Sequence, residues 1–128
     1  MTHTSADPAH AERIEAVKKH IRIHIDDSLD RAALAQIAGF SVPHFHRIFV
    51  AQTSMSIAEY VRAVRMERAG RKLRMGAVDI TAVALAAGYD SHASFARAFK
   101  RHFGLCPSDF RRLSCRDATE RLRKGRAG

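Results

Sequence analysis

Residues 87–100 read Ala87-Gly88-Tyr89-Asp90-Ser91-His92-Ala93-Ser94-Phe95-Ala96-Arg97-Ala98-Phe99-Lys100, and an earlier stretch answers them: Ala38-Gly39-Phe40-Ser41-Val42-Pro43-His44-Phe45-His46-Arg47-Ile48-Phe49. Upstream, Asp79 to Gly88 matches Asp30 to Gly39 at a constant offset, with Ala33/Ala82, Ala35/Ala84 and Ala38/Ala87 identical and Phe40/Tyr89 similar. After one inserted residue the match resumes at Phe45/Phe95, Arg47/Arg97 and Phe49/Phe99, and it continues through Tyr60/Phe110 and Arg62/Arg112. This is an internal repeat of one helical pair. Each copy is a short helix, a sharp turn at a glycine and a second helix. Such a turn needs a residue tolerant of positive φ, and the alanines let the first helix lie close to the second. The arrangement is that of a helix-turn-helix, whose second helix can enter a DNA major groove.

Ahead of the first copy, Ile14, Val17, Ile21 and Ile25 recur at spacings of three and four among Glu12, Glu15, Lys18, Lys19 and Arg22, so a helix precedes it. Asp26-Asp27-Ser28 breaks it. Asp30 is placed to cap the helix through Ala33, Leu34 and Ile37, which Gly39 stops. Ser41 can cap the next, with Pro43 in its first turn. Ser54 and Ser56 flank the start of a long helix from about Ile57 to Leu73, roughly 25 Å at ~1.5 Å per residue, which Gly76 ends. The expected fold is all-α: seven helices, no strand, and two helix-turn-helix subdomains joined by a long linker helix. The expected divisions are a flexible tail over 1–9, the first subdomain over 10–54, the linker over 55–75, the second subdomain over 76–114, and a basic flexible tail over 115–128.

Composition narrows the partner. The 128 residues carry 22 Lys and Arg against 13 Asp and Glu, leaving +9 with histidine neutral, and the pI near 10.6 suits a polyanion. That length is about one domain's worth and leaves no room for an enzyme with separate cofactor and substrate domains. No apolar run approaches the ~18 residues of a membrane span, and Met1-Thr2-His3-Thr4-Ser5-Ala6-Asp7 lacks the order of a secretion signal. With two cysteines, Cys106 and Cys115, there is no disulfide framework. A cytoplasmic protein is expected.

The second helix of each copy sorts by face. In the first, Phe45, Ile48 and Phe49 point inward with Gln52 following, and Pro43, His46, Arg47 and Val50 form the opposite stripe, with His44 near the N-terminal end. In the second, Phe95, Ala98, Phe99 and Phe103 point inward. The outward stripe there is His92, Ala93, Ala96, Arg97 and Lys100, with Ser91 and Ser94 beside it. The arginine in each stripe can offer two parallel donors to guanine O6 and N7. The DNA-binding candidates are therefore Pro43, His44, His46, Arg47, Ser91, His92, Ala93, Ala96, Arg97 and Lys100. A 25 Å linker plus the units at its ends would set the two helices about 30–35 Å apart, close to one turn of B-DNA at about 34 Å. One molecule could then grip successive major grooves of double-stranded DNA without a dimer. Because the stripes differ, its site would be asymmetric.

These residues resemble the AraC/XylS family of transcription regulators. Ala38 to Phe49 is similar to the family's first helix-turn-helix. Ala87-Gly88-Tyr89-Asp90-Ser91 with Phe95-Ala96-Arg97-Ala98-Phe99-Lys100 is similar to the second. Phe103-Gly104-Leu105-Cys106-Pro107-Ser108-Asp109-Phe110-Arg111 resembles the segment that closes the domain, and Tyr60-Val61, Arg65-Met66, Ala69 and Leu73 resemble its linker helix. The resemblance covers about residues 10–114. It implies a seven-helix, bilobal DNA-binding domain that acts usually as an activator through contact with RNA polymerase. Three departures stand out: Ser54 where the family usually has Gly, Ile57 where it often has Pro, and the apolar Val42, Pro43 and Val50 in the first stripe. The last points to weaker base reading there, or to a preference for thymine methyls. The size is that of stand-alone members, or of a shortened relative of members that continue into a GyrI-like effector domain. A complete chain of this length would have no small-molecule effector and would be regulated by its abundance.

Other chemistry finds little support. His20 and His24 have the one-turn spacing of zinc ligands, but no third ligand is evident, so no metal and no cofactor are expected. No Ser-His-Asp or Cys-His arrangement and no glycine-rich phosphate loop points to catalysis. Redox sensing by Cys106 and Cys115 is not favoured, since free thiols are common in the cytoplasm. His46 and His92 lie on the outward stripes, where nearby phosphate would favour their charged forms and weaken binding as pH rises from about 6 to 8. Two further readings stay open: a non-specific architectural nucleic-acid binder, and a basic module docking an acidic protein. No heptad seam argues for dimerisation, so a monomer on DNA is expected.

Overall fold

The computed structural model describes residues 8–75, 79–113 and 115–126, with backbone alone for residues 124–126. All regular structure among them is helical: α1 (Pro8–Ile23), α2 (Arg31–Ala38), α3 (Val42–Thr53), α4 (Ile57–Leu73), α5 (Ile80–Ala86), α6 (His92–Phe103), α7 (Pro107–Arg111) and α8 (Cys115–Arg126). The chain divides into two units, one ending at Val61 and one running from Arg62, so the division falls within α4.

In the first unit α1 packs on α2 and α3. Ile14, Val17 and Ile21 are buried on one face of α1, with Ile25 buried just past its end. Gly39 stops α2 at φ 80° and its backbone returns to α2 carbonyls, the left-handed cap that glycine adopts without steric cost. Asp30 stands at the N-cap of α2 but its side chain makes no capping bond. Ala35 and Ala38 are buried, and so are Phe45, Ile48 and Phe49 on the facing side of α3. The Phe49 ring meets Phe45 at 5.9 Å and Tyr60 at 5.6 Å.

α4 opens with a reciprocal capping pair. The Ser56 hydroxyl accepts from the Glu59 amide at 3.1 Å, and the Ser56 amide donates to the Glu59 carboxylate at 2.8 Å. Its first turns are tied to α1 by Arg22, which donates to the Tyr60 hydroxyl at 2.7 Å. Burial raises the Tyr60 pKa, and Arg22 works against that rise, so the phenol stays neutral at neutral pH. Ser54, read from sequence as flanking a helix start, instead closes α3 in the left-handed conformation, φ 63°.

In the second unit Phe95, Phe99, Phe103 and Phe110 cluster with Met66, Leu73, Val83 and Ala84. The Phe99 ring lies 5.5, 4.6 and 5.3 Å from Phe95, Phe103 and Phe110. Asp79 caps α5 by accepting from the Thr81 amide at 3.1 Å. Arg74 donates to the carbonyls of Arg111 and Leu113 just past α4, closing the end of α7.

The segment expected to be a flexible tail forms a helix over Cys115–Arg126, and among the described residues eight helices stand, seven of them of seven residues or more. Ala118 is buried in the phenylalanine cluster and Leu122, one turn on, packs against it. Gly70 of α4 is what lets Leu122 and Phe110 approach: a Cβ there would lie 3.0 Å from Leu122 and 3.3 Å from Phe110. Arg121 donates to the Phe103 carbonyl at 2.8 Å, placing a cation at the negative end of α6. Charge dominates the segment's composition, yet two apolar residues on one face and one aimed arginine dock it. The expected tail over 1–9 falls mostly outside the described residues, though Pro8 and Ala9 already belong to α1.

Candidate nucleic-acid interface

The two second helices, α3 and α6, are presented alike. Ser41 precedes α3 in extended backbone and accepts from the His44 amide at 3.4 Å, with Pro43 in the first turn. Ser91 precedes α6 and accepts from the Ser94 amide at 3.1 Å, while its own hydroxyl bonds the Ser94 hydroxyl at 3.0 Å. The buried faces are Phe45, Ile48 and Phe49 on α3 and Phe95, Ala98, Phe99 and Phe103 on α6. A helix whose inward side chains fill a core cannot rotate, so its opposite stripe is held in a fixed direction.

On α3 that stripe exposes Pro43, His46, Arg47 and Val50, with Val42 at its edge. On α6 it exposes His92, Ala93, Arg97 and Lys100, and Ala96 is half-buried. Arg47, Arg97 and Lys100 have no ion-pair partner among the described residues. Their donors are left for an external acceptor. Ser91 is exposed, but its hydroxyl is already spent on the cap. His44 departs most from the sequence expectation: it is half-buried, its ring edge-on to Phe40 at 5.0 Å and to His10 at 6.3 Å. It braces the turn before α3.

Arg13 is not among the residues expected from the sequence. Its guanidinium lies over the Phe40 ring, 5.1 Å from the centroid, and is exposed beside Gly39 at the same turn. The available signal was its place on α1 one residue before the buried Ile14, with a side chain long enough to reach the turn. His20 and His24 stack at 4.3 Å, and His24 Nδ1 lies 3.1 Å from Asp27. Among the described residues no three His, Cys, Asp or Glu side chains are grouped to hold a metal ion. No described helix is long and apolar enough to cross a membrane.

Residues 34–113 match the family described as "Helix-turn-helix domain". The chain is 33% identical over 103 residues to Regulatory protein SoxS of Salmonella typhimurium, covering 80% of this chain and 96% of SoxS. It is 35% identical over 99 residues to HTH-type transcriptional regulator GlxA of Rhizobium meliloti, covering 77% of this chain but only 31% of GlxA. The chain therefore spans about a third of some curated relatives and nearly all of others. Among solved structures, the fold resembles an AraC-type transcriptional regulator from Chromobacterium violaceum, with TM-score 0.74, 21% identity and coverage of 82% of this chain and 94% of that one. It also resembles the DNA-binding domain of AdpA, solved with a target DNA, with TM-score 0.66, 24% identity and coverage of 77% and 89%. The chain belongs to the AraC/XylS family of helix-turn-helix DNA-binding transcription regulators. That is a family of regulators and not of enzymes.

Proposed function

We propose that the chain reads double-stranded DNA sequence-specifically and acts as a transcription activator in the cytoplasm. In this reading α3 and α6 occupy successive major grooves of one asymmetric site, and the protein binds as a monomer. Pro43, His44, His46 and Arg47 face the first groove, and Ser91, His92, Ala93, Ala96, Arg97 and Lys100 face the second; His44 and Ser91 contribute mainly by holding the helix starts. The carrying observation is the duplicated stripe: each second helix keeps an exposed arginine, Arg47 or Arg97, with no ion-pair partner among the described residues, at the matched position of a helix whose other face is buried. Arginine is the side chain whose fork fits guanine O6 and N7. Support for a single molecule gripping two grooves comes from the repeat itself, which puts two matched helix pairs in one chain. The activator role and contact with RNA polymerase rest on the family likeness, and the +9 charge supports a polyanionic partner.

Selection of binding sites from a random duplex pool tests this reading. The expected motif has two unequal blocks separated by about one helical turn, bound one protein to one duplex. A palindromic motif bound by a dimer contradicts the monomer reading. Absence of any enriched sequence contradicts sequence-specific recognition and favours the architectural alternative.

A further inference from the structure

The two stripes align position by position at an offset of fifty: Val42 with His92, Pro43 with Ala93, His46 with Ala96, Arg47 with Arg97, and Val50 with Lys100. At 100° per residue Val50 falls between His46 and Pro43, in the middle of the stripe, with Arg47 beside Pro43. Where α6 carries a cation in the middle of its stripe, α3 carries a branched hydrocarbon. Val42 and Val50 are each 38% exposed, and they are the exposed large hydrophobic residues of α3. With Pro43, also exposed, Val50 makes a small apolar surface between the imidazole of His46 and the permanent charge of Arg47, and Val42 lies at the stripe's edge beyond His46.

A single exposed valine needs no explanation. Two on the stripe that carries the free arginine are a different matter, because neither can bond a phosphate or a base edge. A permanent cation beside an apolar patch calls for a partner that is anionic at its edges and apolar within. The DNA major groove is such a partner: phosphates line its walls, and the thymine C5-methyl is the apolar group that its floor presents. Resting on the DNA-reading function proposed above, we infer that α3 selects its half-site through thymine methyl groups, packed against Val50 and Val42, beside a guanine held by Arg47. On α6 the matching central position is Lys100, and the stripe's apolar side chains are only the small Ala93 and Ala96; its half-site is selected by Arg97 and held by Lys100. The chain thus reads two half-sites by different chemistry, one by methyl contact and one by charge.

The decisive substitution is made in the DNA. Replacing thymine by deoxyuridine removes the C5-methyl and leaves every hydrogen-bonding group in place. Each thymine of the selected site is replaced in turn, and binding is measured for the parent, Val42→Ala and Val50→Ala. Both variants alter exposed side chains, and circular dichroism confirms that they fold. For the parent, at least one thymine in the block disturbed by Arg47→Ala loses about fourfold in affinity, the weight of one buried methyl. That loss shrinks to less than about 1.5-fold in Val50→Ala or Val42→Ala. The inference is overturned if deoxyuridine is tolerated at every thymine of that block, or if its cost is the same in both variants as in the parent. Either result leaves specific binding intact. Failure to recover any selected site would sink the proposed function first, and this inference with it.

Discussion

The two helix-turn-helix units share what the corner requires and differ in what surrounds it. Both have glycine at the turn, buried alanines on the first helix, phenylalanines inward and an arginine outward. The closing of the second helix differs. Gly104 ends α6 at φ 86° with Arg121 on the neighbouring carbonyl, whereas Ser54 ends α3 at φ 63° as the one non-glycine residue with positive φ among those described. The cores differ too: four phenylalanines interlock in the second unit, while the first relies on two with Tyr60. Geometry that makes the corner is common to both copies, and the outward stripes and the contacts to the rest of the chain differ.

Substitution within the cores has the greatest consequence for stability. Phe99→Ala removes a fully buried ring that meets three others and is expected to cost about 3–5 kcal/mol. Urea unfolding followed by circular dichroism measures it, and a loss below about 1 kcal/mol would deny the second unit its aromatic core.

The caps give a smaller, paired effect of opposite sign. Gly104→Ala forces a side chain into the left-handed region, and its Cβ would lie 2.9 Å from Arg121 Nη1; it should destabilise by about 1–2 kcal/mol. Ser54→Gly relieves the same strain in the first unit and should stabilise by roughly 0.5 kcal/mol, after the greater entropy glycine loses on folding. Thermal melts of both variants measure the two shifts, and shifts of the same sign would contradict this account of the caps.

The smallest effect is a pH dependence confined to the second unit. Burial lowers the His102 pKa below its ordinary value of 6.5, so the folded state prefers the neutral ring more than the unfolded chain does. Its contribution is fully present above about pH 6.5 and is lost as pH falls through the depressed folded value. His102→Gln is expected to flatten the decline in stability below about pH 6.5, and an unchanged decline would assign it to other groups.

Much of this was legible from spacing alone. The repeat, the inward phenylalanines and the outward arginines follow from helical periodicity, because burial on one face leaves a pattern of threes and fours. The docking of α8 was not legible: Ala118 and Leu122 are too few to make a periodic signal, and the gap that admits Leu122 is made by Gly70, a glycine within α4 whose role appears only in three dimensions. The brace of His10, Phe40 and His44 was hidden for a related reason. It joins α1 to the turn before α3, and no local rule relates residues thirty positions apart. Ser54 was recognised as a departure from the family's glycine, but a serine accepts either end of a helix, and its left-handed backbone decides which.

In the proposed function two unlike stripes each contribute their own sequence discrimination. This is tested most directly by the ratio of affinities for the selected duplex over random duplex, at one salt concentration, for the parent, Arg47→Ala and Arg97→Ala. The expected result is a fall of about tenfold or more in each variant, with preference relaxed at a different base pair in each. If both variants keep the parent's ratio, neither arginine reads a base and the account fails.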